Sequence, residues 1–218
     1  MFYTTSIHLA TRQGWPNPLG RPDTHVLLCG SASPYTTRAF ARFVSGRQRN
    51  AHIDVLDISP YALDQSAQFL KARGETAAMD ISFVEGDALS MPFADESFDW
   101  IETDFFIQFF SAAERSHIFH EWQRVLRPGG IVTTRDWLTD GRTLPDRLMR
   151  RTKNWMIRHI LGPVTYDASA EEVQGALERL GLATAVFPVR APGIRLGIPA
   201  MKYLVGYKPL GEVTSVSR

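Results

Sequence analysis

The chain has 218 residues, 44% hydrophobic and 22% charged, with 24 Lys and Arg against 23 Asp and Glu and a net charge of +1. That is enough chain for one globular domain with a full core, and so even a balance gives no electrostatic pull toward nucleic acid or an anionic membrane. The single cysteine, Cys29, excludes an internal disulfide, fits a reducing compartment and, at the end of an apolar run, reads as a buried residue.

The first residues, MFYTTSIHLA, lack a basic leader region, and no segment approaches the run of about 18 apolar residues that a membrane span needs. A cytoplasmic protein is expected, monomer or homodimer, with no integral membrane association and no nucleic-acid partner. Met1–Asp23 is a polar arm broken by Gly14-Trp15-Pro16-Asn17-Pro18 and Gly20-Arg21-Pro22. Residues 1–24 therefore read as a mobile arm, without regular structure between Gln13 and Asp23.

His25–Leu28 is the first buried strand. Gly30–Tyr35 makes a turn, and a helix follows to about Ser45, with Ser33 as N-cap, Pro34 in the first position and Gly46 in a left-handed C-terminal site. His52–Leu56 is the second strand, ending at Asp57. Ser59 caps the next helix, which carries Leu63, Ala67 and Leu70 on one face and closes at Gly74. Ile81–Glu85, Phe98–Thr103 and Ile131–Asp136 supply strands three to five. Phe105-Phe106-Ile107 and Phe109-Phe110 read as core, with a hydrophobic substrate wall as their other role. Ser111 and Glu114 form a capping box, Ile118, Phe119, Trp122, Val125 and Leu126 recur at helical spacing, and Arg127-Pro128-Gly129-Gly130 stops that helix. This alternation predicts a parallel α/β sheet, whose ligands sit at the strand C-termini. An acid at the tip of its second strand accepts hydrogen bonds from both ribose hydroxyls, which gives Asp57 a nucleotide role without choosing the nucleotide.

Between Gly141 and Gly162 six basic residues (Arg142, Arg147, Arg150, Arg151, Lys153, Arg158) face one acid, Asp146. Leu148, Met149, Trp155, Met156 and Ile160 approximate one helical face there. Ser169 and Glu172 form a second capping box, before a helix ending at Gly181. Ala183–Val189 and Lys202–Tyr207 read as two strands joined by a loop from Pro192 to Pro199, and 210–218 as a disordered tail. His117, His120 and Glu121 lack a further ligand cluster, so no metal is expected. No nucleophile elbow, Cys-x-x-Cys pair or P-loop is present.

The runs Phe83-Val84-Glu85-Gly86-Asp87-Ala88-Leu89-Ser90-Met91-Pro92-Phe93, Phe98-Asp99-Trp100-Ile101 and Leu126-Arg127-Pro128-Gly129-Gly130 resemble the middle of class I S-adenosylmethionine-dependent methyltransferases. The nearest type is the small-molecule one, similar to the ubiquinone/menaquinone C-methyltransferases, and the resemblance covers roughly Val26 to Asp136. It implies a doubly wound, Rossmann-like α/β fold over residues 25–209, with a seven-stranded mixed sheet whose last strand is antiparallel. It also implies S-adenosylmethionine as cofactor, with Asp87 on the adenine amino group and Thr103-Asp104 beside the methyl group. The donor set then comprises Gly30, Ser31 and Ala32, Asp57 and Ile58, Asp87, Ala88 and Leu89, and Thr103 and Asp104. Asp104, Asp136 and Tyr166 are the candidate catalytic residues, by position. Residues 140–167 would form a basic lid over a small-molecule acceptor, anionic or aromatic, and Tyr3 or Trp15 would cover the cofactor.

The first turn departs from the family pattern D-x-G-x-G-x-G. Leu28 stands in the acidic position, Gly30 keeps the first glycine, and Ala32 and Pro34 replace the other two. The helix N-terminus survives as a seat for the donor's carboxylate. Two alternatives remain: a methyltransferase-like scaffold that has lost donor binding, and a Rossmann enzyme using another nucleotide. A third variation keeps the donor but uses its charge for non-methyl chemistry.

Overall fold

The computed structural model describes residues 2–31, 33–138, 165–190 and 197–211, and between 138 and 165 only Leu144, Arg147, Leu148, Arg151, Thr152 and Trp155. Its elements are α1 (Phe2–Arg12), β1 (His25–Cys29), α2 (Pro34–Ser45), β2 (His52–Asp57), α3 (Pro60–Lys71), β3 (Asp80–Glu85) and β4 (Phe98–Asp104). They continue with α4 (Ala112–Val125), β5 (Leu126–Trp137), α5 (Ala170–Arg179), β6 (Ala183–Arg190) and β7 (Gly197–Tyr207). The strands form one seven-stranded sheet in the order β3-β2-β1-β4-β5-β7-β6, with β7 antiparallel to both neighbours. Most of the basic segment 140–167, the loop residues 191–196 and the tail from residue 212 lie outside the described residues.

Alternation along the central strands sorts the core into two layers. Val26 and Leu28 of β1 with Trp100 of β4 face Phe40, Ala41 and Val44 of α2 and Tyr3, Ile7 and Ala10 of α1. Leu27, Cys29, Ile101 and Val132 face the opposite way, onto Ile118, Phe119, Trp122 and Val125 of α4 and Val173 and Leu177 of α5. The helix starts are set by side-chain caps. Ser33 accepts from the Thr36 N–H, Ser59 from Ala62, and Ser111 and Glu114 complete a reciprocal capping box. Ser169 accepts from the Glu172 N–H, and the Glu172 carboxylate receives the Arg115 guanidinium at 2.7 Å.

Four sequence expectations change. The mobile arm contains α1, whose Tyr3 packs edge-on to Phe40 at 5.2 Å and donates its hydroxyl to the Thr36 carbonyl. Trp15 stacks on Tyr207, whose register partner is Ile131 in the middle of β5, away from the C-terminal ends of the parallel strands. Neither aromatic lines the cavity described below, so neither covers it. Gly46 is right-handed (φ −71°), because its N–H continues the helical bonding to Arg42. Finally, the Leu-Arg-Pro-Gly-Gly run does end α4, at Val125, but it belongs to β5, which begins at Leu126 and not at Ile131. Leu126 pairs with Phe98 and Ile131 with Trp100, so residues 127–130 bulge outward, with Gly129 at φ +83° and its N–H donated to Lys208. Asp99 anchors the bulge by pairing with Arg127 and Arg21, at 2.7 Å each. No helix among the described residues is long and apolar enough to cross a membrane.

Candidate active site

The C-terminal ends of β1, β2 and β3 converge on one cavity of about 90 Å³. Gly30, Asp57, Ile58, Asp87 and Ala88 line it, and Cys29 contributes to its wall. Gly30 adopts φ +89°, a conformation that disfavours any side chain, and its N–H donates to the Leu56 carbonyl at 2.8 Å. Asp57 holds the turn from below: one carboxylate oxygen accepts the Ser31 N–H at 2.7 Å and the other the Ser59 N–H at 2.9 Å. Each oxygen keeps a further lone pair for a ligand hydroxyl. Ser31 is buried, and its hydroxyl sits 2.9 Å from those of Thr37 and Ser66, which ties the turn to α2 and α3. Asp87 is exposed and accepts the Leu89 N–H at 2.9 Å, closing a small loop that directs Ala88 inward. Ile58 leaves 69% of its surface in solvent at the rim, where an aromatic base would have a flat apolar support. Leu89 packs partly against the core, and Ala32 lies outside the described residues. Burial pushes the Cys29 thiol up to about 12, which keeps it protonated and inert at neutral pH.

The predicted residues on β4 and β5 take other positions. Thr103 is fully buried on the α4 side, and its hydroxyl has no hydrogen-bond partner among the described residues. Asp104 points to the opposite face, where Arg135 grips it with two hydrogen bonds of 2.8 and 2.5 Å. Burial raises the Asp104 pKa above the usual aspartate value, while Arg135 opposes that rise. Asp104 is therefore an ion-pair partner, not an available base. Asp136 is fully buried and receives the Ile107 and Trp137 N–H groups, each at 2.8 Å. It shapes the loop after β4 and does not face a reactant, which corrects its candidate catalytic role. Tyr166 is 42% exposed and donates its backbone N–H to the Gln108 carbonyl, beside that same loop. Of the three candidate bases it is the most exposed, since Asp104 is largely covered and Asp136 fully buried.

Sequence reasoning gave the Phe105–Phe110 run a wall only as its second role and gave Glu102 none. Phe106 and Phe110 line the cavity, with ring centroids 4.8 Å apart, while Ile107 of the same apolar run is fully buried. The run thus divides between wall and core. Glu102, the register partner of Leu28, is buried beside the Asp104–Arg135 pair and accepts from the Thr133 hydroxyl, which itself accepts the Trp100 indole N–H at 2.7 Å. Burial holds its carboxyl well above the usual glutamate range. The alternation of Trp100, Glu102 and Asp104 along β4 was the available signal that all three share a face.

Residues 27–134 match the family described as a methyltransferase domain. The chain belongs to the class I S-adenosylmethionine-dependent methyltransferases. Within that family it is 28% identical over 155 residues to the biotin biosynthesis bifunctional protein BioHC of Teredinibacter turnerae, a match spanning 71% of this chain and 25% of that protein. It is 37% identical over 115 residues to the ubiquinone/menaquinone biosynthesis C-methyltransferase UbiE of Rhizobium meliloti, spanning 52% of this chain and 42% of the relative. The matches thus span from a quarter to less than half of these relatives' lengths. The fold is that of a SAM-dependent methyltransferase structure from Methanosarcina mazei, with a TM-score of 0.65 at 17% identity over 92% of this chain and 97% of the other. The cavity brings together two carboxylates, an exposed apolar side chain and a glycine turn.

Proposed function

We propose that the chain transfers a methyl group from S-adenosylmethionine to a small-molecule acceptor, and that it holds the donor mainly by its adenosine. Asp57 takes the ribose hydroxyls, Asp87 the adenine amino group, and Ile58 and Ala88 contact the base. The observation that carries this reading is the meeting of Gly30, Asp57, Ile58, Asp87 and Ala88 around one cavity at the strand C-termini. The donor supplies an electrophilic methyl on a sulfonium: the acceptor's lone pair forms the new bond as the carbon–sulfur bond breaks, and sulfur leaves as a neutral thioether. The protein's part is to hold the two reactants in line and apart from water. With Asp104 and Asp136 committed to other partners, Tyr166 is the remaining side chain for an acceptor that must lose a proton. The excess of Arg and Lys between residues 142 and 158 supports an anionic or partly anionic acceptor.

Calorimetric titration with S-adenosylmethionine, S-adenosylhomocysteine, adenosine and NAD tests the reading. The first three should bind, with the donor in the micromolar range, about −8 kcal/mol. Asp57→Ala should weaken adenosine binding about tenfold or more, since a charge-assisted hydrogen bond contributes roughly 1.5–3 kcal/mol. Absence of binding by all three at millimolar concentration leaves only a scaffold role.

A further inference from the structure

We infer that Phe106 sets the specificity of the donor cavity: its ring closes the side toward the Gly30 turn, so a full amino-acid tail adds little to the affinity of an adenine nucleoside with a short 5′ substituent. This rests on the proposed donor reading and deepens it. A β-carbon placed on Gly30 would lie 2.7 Å from Phe106 Cδ2 and 3.0 Å from Cε2. The ring therefore packs directly on the Gly30 turn, the side of the cavity to which the reading proposed above assigns the donor's methionyl chain. The backbone on either side of the ring is fixed. Phe105 holds a left-handed φ of +52° and donates its N–H to the Arg135 carbonyl at 2.8 Å. Ile107 donates its N–H to the buried Asp136 carboxylate at 2.8 Å. Only rotation of the Phe106 side chain, away from its contact with Phe110, opens the path.

The anchors for an amino-acid tail are reduced in parallel. Pro34 has no N–H, the Thr36 N–H is taken by the Ser33 hydroxyl at 3.2 Å, and the Thr37 N–H by the Ser33 carbonyl at 3.1 Å. Leu28, in the acidic position of the family pattern, is fully buried and has no charge to offer an ammonium. The adenosine end, by contrast, keeps both Asp57 and Asp87 on the cavity wall.

The test is calorimetry of the wild type, Phe106→Ala and Phe106→Leu with adenosine, 5′-methylthioadenosine and S-adenosylhomocysteine, with a thermal melt to establish folding. In the wild type, S-adenosylhomocysteine should gain little over adenosine, within about tenfold, because displacing and immobilising a side chain offsets the tail's contacts. Phe106→Ala should tighten S-adenosylhomocysteine about tenfold and move adenosine by less than about threefold, with Phe106→Leu intermediate. Equal weakening of all three ligands in folded variants, or a wild type that prefers S-adenosylhomocysteine over adenosine by more than about tenfold, overturns the inference and leaves the donor reading intact. Failure of all three ligands to bind any variant overturns the donor reading itself, and this inference with it.

Discussion

Leu28 is the position where the family pattern asks for an acid, and restoring it should damage the protein instead of improving the site. The side chain is 0% exposed, lies in the layer with Val26 and Phe40, and is flanked in register by Val55 on β2 and Glu102 on β4. Leu28→Asp first removes a packed side chain, a loss of about 2–5 kcal/mol for truncation to the size of alanine. It then adds a carboxyl that must stay protonated beside a second buried acid. Holding an aspartate of ordinary pKa about 3.9 neutral at pH 7 costs roughly 4 kcal/mol, at 1.36 kcal/mol per pH unit. The total, about 6–9 kcal/mol, is comparable with the whole stability of a typical domain. Leu28→Asn separates the two contributions, since it has nearly the same shape without the ionisation. Urea unfolding at several pH values is the assay. The folded-state pKa of the new acid would lie above its unfolded value, so its stabilising contribution is complete below about pH 4 and is lost as pH rises. The gap between the Asp and Asn variants should therefore be about 4 kcal/mol at pH 7 and close as pH falls toward 4. A Leu28→Asp protein as stable as wild type at pH 7 and binding the donor more tightly would show that Leu28 faces the crevice.

Two further outcomes follow from the buried charges on the same face. Arg135→Met should destabilise the protein by about 3–5 kcal/mol, because it strands the Asp104 carboxylate in a site where both partners are largely covered, and adding Asp104→Leu should recover most of that loss in a denaturation series. Glu102 has a folded-state pKa raised by burial, so its stabilising contribution is complete below the unfolded glutamate pKa of about 4.3 and is lost as pH rises from there to the folded pKa; Glu102→Gln should match wild type near about pH 4 and become the more stable of the two at higher pH, as paired unfolding curves would show.

The parallel core of this fold was legible because its signals are local. Buried strands ending in polar tips, serine caps and glycine stops each lie within a few residues, and they located β1 to β7 and α2 to α5. Helix α1 escaped because Thr4, Thr5 and Ile7 disfavour a helix by propensity, whereas Tyr3, Ile7 and Ala10 do carry helical spacing; tertiary burial on α2 and β7 decided the outcome. Asp57 and Asp87 were readable as strand-tip acids, and both line the cavity. Asp104 and Asp136 looked equally available at their own strand ends. All three take partners from other segments, but Asp57 borders the cavity, whereas Asp104 is paired with Arg135 and Asp136 is fully buried against the Ile107 amide. The placement of Phe106 on Gly30 depends on the left-handed backbone of Phe105, a conformation rarely adopted by an aromatic residue and not marked by any local sequence signal.

The position of β7 between β5 and β6 has a consequence for synthesis of the chain. Strand β6 leaves the ribosome first but has no place in the sheet until β7 arrives to pair with it on one side and with β5 on the other. Until Gly197–Tyr207 emerges, the edge of β5 stays open and part of the apolar face of α1 lacks Tyr203 and Val205 as partners. The sheet therefore closes only after residues 197–207 have been translated, and a nascent chain stalled before that point carries an unpaired strand edge of the kind that nucleates aggregation.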